Sequence, residues 1–153
     1  MNKSRTLAAL LALTLLVAGA SAAVQWNSTT VSVSGTVTGR PESVSFSGRV
    51  HIQSRLAVDP EDSRRNKVLL QIDLSGVSGV GASTAAAYVV DAQDIVTRGL
   101  ASSDVVRITF PFHQSGTRAV DASRTGLASF ALSIDTATGA VTAARASISS
   151  PEF

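Results

Sequence analysis

The 153-residue chain contains no cysteine, so a disulfide framework, a thiolate nucleophile and a zinc–thiolate site are all excluded. Histidine occurs only at His51 and His113, and Trp26 and Tyr88 are the only tryptophan and tyrosine. Little is therefore available for imidazole chemistry, and little for the aromatic platforms on which glycosidases seat sugars. An excess of positive charge is also missing. Lys3 and Arg5 sit in an N-terminal segment of their own, and without them the basic residues equal the 11 acidic ones. Binding to nucleic acid or to an anionic membrane needs a basic surplus that the chain beyond this segment lacks.

Apolar runs are short except near the start. Leu7–Val17 is apolar apart from Thr14 and comes after the basic residues Lys3 and Arg5. Ala20-Ser21-Ala22 then offers the small-x-small pattern of a cleavage site. The three regions predict a signal peptide over residues 1–22, with cleavage after Ala22 or Ala23. The apolar run falls well short of the roughly 20 residues that a spanning helix needs. Export to the periplasm or the cell exterior is the expectation, with residues 23–153 forming one domain and no membrane span in the mature chain.

The remainder of the chain reads as strands. Thr29–Thr38 alternates valine with serine and threonine, and Arg40-Pro41-Glu42 breaks the pattern. Ser43–Gln53 places Val44, Phe46, Val50 and Ile52 on one face. Gly48 shares that face and marks a bulge or a close approach. Lys67–Leu74 points Val68, Leu70, Ile72 and Leu74 inward. Residues 100–112 do the same with Val106, Ile108, Phe110 and Phe112, and Pro111 marks a sheet edge. Leu127–Ile134 and Ala140–Ser149 flank Asp135–Gly139, a hairpin loop in which Gly139 takes positive φ. Ser75–Ser83 reads as a Gly-rich irregular connection, and Thr84–Val96 is divided between helix and strand. Six to nine short strands predict an all-β, single-domain antiparallel sandwich or small barrel.

Few motifs carry chemistry. Gly76-x4-Gly81-Ala82-Ser83 has the glycine spacing of a phosphate-binding loop, but Ala82 stands where the lysine must be. A serine–histidine–acid site would use His113, with Ser78 or Ser83 as nucleophile and Asp104 or Asp121 as orienting acid. No Gly-x-Ser-x-Gly elbow or Ser-x-x-Lys pair accompanies it. His51 lies on the polar face of its strand. Asp59, Glu61 and Asp62 gather oxygen ligands for a metal, but Arg64, Arg65 and Lys67 compete with the cation. Asp91 and Asp94 flank a turn. Asn27-Ser28-Thr29 is a glycosylation sequon. No cofactor is expected.

Phe46-Ser47-Gly48, Asp59-Pro60-Glu61-Asp62, Val68 with Ile72-Asp73-Leu74, and Ile108-Thr109-Phe110 resemble segments of the exported lipocalin-like polyisoprenoid-binding proteins. That resemblance implies antiparallel strands around an apolar cavity. The family's later strands have no counterpart here.

Three functions are compatible with these observations, in order of preference. The first is a non-catalytic binding or envelope-assembly module that takes a protein partner by strand addition at an edge such as Thr29–Thr38. The second is a carrier of a hydrophobic small molecule, held by Phe46, Ile52, Leu70, Ile72, Ile108 and Phe110. The third is a small exported hydrolase built on His113.

Overall fold

The computed structural model describes residues 25–57, 66–118 and 123–151. The signal segment, Asp59, Glu61, Asp62 and Asp121 lie outside the described residues. Among the described residues every regular element is a strand, and all nine strands belong to one sheet. They are β1 (Asn27–Val37), β2 (Val44–Ala57), β3 (Lys67–Asp73), β4 (Val77–Gly81), β5 (Ala87–Val90), β6 (Gln93–Gly99), β7 (Ser103–Gln114), β8 (Arg124–Ile134) and β9 (Val141–Ser149).

Period-2 alternation builds the core. Val44, Val50 and Ile52 on β2, with Val68, Leu70 and Ile72 on β3, are fully buried. Phe110 and Phe112 on β7 and Phe130 on β8 meet them from the other side. The Phe46 ring stands edge-on to Phe110 at 5.8 Å and to Phe112 at 4.8 Å between centroids. Edge-to-face packing of this kind places the positive ring edge against a neighbour's negative face.

The strands succeed one another around the sheet. β2 is long enough to pair with β4 through its first half and β3 through its second. β3 and β4 act as one interrupted strand, broken at Leu74–Gly76. β5 and β6 form the next, broken at Asp91-Ala92. At one end the ring closes through β1, β2, β4, β5, β7, β8 and β9. Seven is an odd number, so the closing pair β9–β1 is parallel, with the single bridge Gly35↔Ile148. A Cβ on Gly35 would run into the Ile148 carbonyl, which explains the glycine.

At the other end the ring divides into two layers. β1, β2, β3 and β6 make one, and β7, β8 and β9 the other. The choice between sandwich and barrel is therefore resolved as a barrel end and a sandwich end. β5 and β7 pair as Tyr88↔Gln114, Val89↔His113 and Val90↔Phe112, and there the ladder stops. The next β7 residue facing β5 is Pro111, which has no N–H to continue it.

Two sequence expectations change. Ser75–Ser83 is not irregular, because Val77–Gly81 is the regular strand β4. Its glycines make room rather than confer freedom: a Cβ on Gly79 would lie 2.6 Å from Val44 Cγ1 and 2.7 Å from Phe46 Cε1. Gly48 likewise approaches Gly76 and Val77 too closely for a side chain, the close approach expected of it. Within residues 84–96 no helix forms. Thr84 and Ala85 belong to the β4–β5 turn and most of the rest is strand, since pairing with β7 and β3 outweighs the helix propensity of three alanines.

Candidate functional site

Arg40-Pro41-Glu42, which in sequence is only a break between strands, builds the most elaborate polar cluster among the described residues. After the cis Arg40-Pro41 bond the Glu42 side chain turns in beneath the β4–β5 loop, 8 % exposed. Its Oε1 accepts the Thr84 hydroxyl at 2.6 Å and the Tyr88 hydroxyl at 3.1 Å. Oε2 accepts the Ser83 hydroxyl at 2.8 Å and the Ser83 and Thr84 amides at 2.9 and 3.0 Å. These bonds, the Thr84 hydroxyl foremost, pull the carboxyl from 4.5 down to about 2. Arg124 donates to the Glu42 carbonyl at 2.8 Å and lies over the Phe112 ring at 5.1 Å. With five donors already bound, this carboxylate is a clamp at the barrel end and has no lone pair placed to act as a base.

A second polar group crosses the outer face. Thr30, His51, Asp73 and Gln93 stand in register across β1, β2, β3 and β6. Thr30 Oγ1 and His51 Nδ1 are 3.1 Å apart. A pocket of about 110 Å³ lies beside them, lined by His51, Gln53, Gln71, Asp73 and Gln93. Asp73 Oδ1 accepts the Ser75 amide at 2.9 Å, which draws its pKa down. Hydroxyl, imidazole and carboxylate thus come together, but on a sheet face. Backbone N–H groups there lie in the plane of the sheet, so none points outward to stabilise an oxyanion.

The third feature is the seam between β6 and β7. Among the described residues β6 pairs with β3 alone and is the terminal strand of the sheet, whereas β1 pairs with β2 along its whole length and meets β9 at Gly35. Six of the seven β6 residues are exposed, including Ile95 at 61 %. Leu74 N–H bonds the Ala92 carbonyl and Leu100 N–H bonds the Asn66 carbonyl. By the alternation of an antiparallel ladder, even-numbered residues of β6 bond β3, while Gln93, Ile95, Thr97 and Gly99 present N–H and C=O outward. The odd residues of β7 point to the same seam.

Both open edges carry their own caps. Asp94 Oδ1 accepts the Ile95 amide at 2.9 Å, and Asp104 Oδ1 accepts the Val105 amide at 2.8 Å. Arg98 spans the seam to Asp104, Nε to Oδ2 at 2.7 Å and Nη2 to Oδ1 at 3.0 Å. The bond from Arg98 is the main cause of a lowered Asp104 pKa.

The residues expected from sequence are scattered over the fold. Phe46, Ile52, Leu70, Ile72, Ile108 and Phe110 all lie in the core at 5 % exposure or less. Phe46 and Phe110 touch each other. His113 is half-buried near the end of β7, opposite Val89. Asp104 is nine residues away on the same strand, about 30 Å at strand rise, and is bound to Arg98. Ser78 pairs opposite Val89 and Ser47 within the sheet, and Ser83 is bound to Glu42. Asp91 lies between β5 and β6, and Asp94 is within β6. Asn27 opens β1 and donates to the Ser54 carbonyl at 3.4 Å.

The β6 edge escapes a reading of the sequence because its seven residues alternate no better than a loop. The legible signal is Asp94 and Arg98, opposite charges placed symmetrically about Val96. In comparisons with known proteins, no family model, curated protein or solved structure matches this chain.

Proposed function

We propose that the chain is an exported, non-catalytic module that binds an extended protein segment by strand addition to the outer edge of β6. The observation that carries this reading is that β6 has one strand neighbour among the described residues. Outward N–H and C=O groups in a row are a template for another strand. The caps at Ile95 and Val105 fit a regulated edge, since a carboxylate can give up an amide when a better-aligned carbonyl arrives. Export is supported by the three-part N-terminal segment. The carrier reading draws no comparable support, because its expected lining residues are packed into the core.

The test uses a photo-crosslinking residue at Thr97 in the producing cell, with the exposed Ser47 on β2, which has a strand on each side, as the comparison site. The expected result is a discrete adduct from Thr97 that Ile95→Pro abolishes. Equal adducts from both sites, or a Thr97 adduct indifferent to Ile95→Pro, would overturn the proposal.

A further inference from the structure

The geometry points to a second copy of this chain as the strand that β6 accepts, in a two-fold antiparallel pairing centred on Val96. This inference rests on the strand-addition reading and names its partner.

The argument is one of register. Antiparallel pairing of β6 with its own copy about Val96 sets Gln93 opposite Gly99, Asp94 opposite Arg98, Ile95 opposite Thr97, and Val96 opposite itself. Shifting the pair by one or two residues in either direction removes the Asp94–Arg98 match. Within this heptapeptide, charge complementarity therefore selects one alignment. Asp94 and Arg98 are both exposed and share one face of β6, opposite Ile72 and Val68 of β3. The pairing thus creates two opposite-charge contacts at once, flanking a Val96–Val96 contact on the axis.

Hydrogen-bond parity admits this alignment and excludes any centre that falls between two residues. Odd residues of β6 direct their backbone groups outward, as the β3 ladder requires. Centring on Val96 makes Ile95–Thr97 and Gln93–Gly99 the hydrogen-bonded pairs. The charged pairs and the valine pair then fall at non-hydrogen-bonded positions, where side chains lie closest. A centre between two residues would pair odd positions with even ones and leave half of these groups unmet.

The existing contacts accommodate the exchange. Arg98 uses Nε and Nη2 for Asp104, so Nη1 remains for Asp94 of the second copy. Asp94 caps Ile95 through Oδ1 in the isolated chain and is released when the Ile95 amide finds the Thr97 carbonyl of the other copy. Ile95, 61 % exposed, comes diagonal to its own copy on the outer face, within side-chain reach. The four-stranded layer β1-β2-β3-β6 becomes a continuous eight-stranded one. An isologous interface of this kind needs no additional surface.

Two variants test this, Asp94→Lys and Arg98→Glu, by sedimentation of each alone and of their equimolar mixture. Alone, each sets like charges opposite each other twice and should weaken the dimer roughly tenfold or more. In the mixture the introduced lysine of one variant faces the introduced glutamate of the other, and the retained Arg98 faces the retained Asp94, so a heterodimer should form. Because the chain is free of cysteine, Val96→Cys supplies a single thiol on the axis and should oxidise to a disulfide dimer faster than Thr97→Cys. A wild-type dimer that neither charge variant weakens, or a mixture no more dimeric than its components, overturns the inference. A monomeric wild type whose Thr97 adduct to another protein is still abolished by Ile95→Pro overturns self-pairing and leaves strand addition standing. Absence of both dimer and adduct overturns both.

Discussion

Arg98 and Asp104 form a bidentate ion pair across a seam where their strands have stopped pairing. The pairs Val90↔Phe112 and Tyr88↔Gln114 further along would, if continued, set Arg98 directly opposite Asp104. The register survives through the gap while the ladder does not. Pro111 explains the loss at one end, and the Asp94 and Asp104 caps satisfy edge amides that the ladder would have used. An edge blunted in this manner resists indiscriminate pairing and remains available to a matched strand.

That arrangement separates two proline substitutions that look equivalent in sequence. Ile95→Pro removes an outward N–H bonded only by a side chain, so the fold should remain, with a denaturation midpoint close to wild type. Val96→Pro removes a donor to β3 and should cost about 1–3 kcal/mol or more, the penalty for a buried group left unpaired. Urea denaturation of both checks this. Equal losses would mean that the two sides of β6 have been assigned the wrong way round.

Glu42 makes stability depend on acid. Its pKa is depressed from 4.5 to about 2 in the folded chain, so its contribution is complete above about 4.5 and is lost as pH falls toward 2. Glu42→Gln should lower stability at neutral pH and flatten the profile between those values, because an amide cannot accept five donors. Denaturation midpoints measured across that window in both proteins test the assignment. An unchanged slope in the variant would place the acid sensitivity elsewhere.

Phe110 reports on whether the interior is filled. It is fully buried against Phe46 and Phe112, and a Cβ on Gly126 would run into its ring. Phe110→Ala should cost about 3–5 kcal/mol, the range for a large core side chain whose site cannot collapse. Chemical denaturation gives the number. A loss under about 1 kcal/mol would indicate space around the ring and revive the carrier reading.

The strands with strict alternation were legible in the sequence because one face of each is almost completely buried: Val44 to Ile52, Val68 to Leu74 and Val106 to Phe112. Gly139 at φ +71 was legible for the same kind of reason, since the short hairpin loop admits few conformations. β4 was hidden because glycine reads as freedom when it stands alone in a sequence. Only the position of Phe46 reveals that Gly79 is there for clearance. Glu42 was hidden because its donors lie more than 40 residues away, and β6 because an edge that tucks only Val96 against the core has no alternation to display.

Residue-resolved amide hydrogen exchange along β6, at low and at high protein concentration, tests the central claim most directly. At low concentration Val96 and Arg98 should be protected by β3 while Thr97 and Gly99 exchange freely, and at high concentration Thr97 and Gly99 should become protected too. Protection of Thr97 and Gly99 already in the dilute chain would show the edge to be closed and would contradict the account.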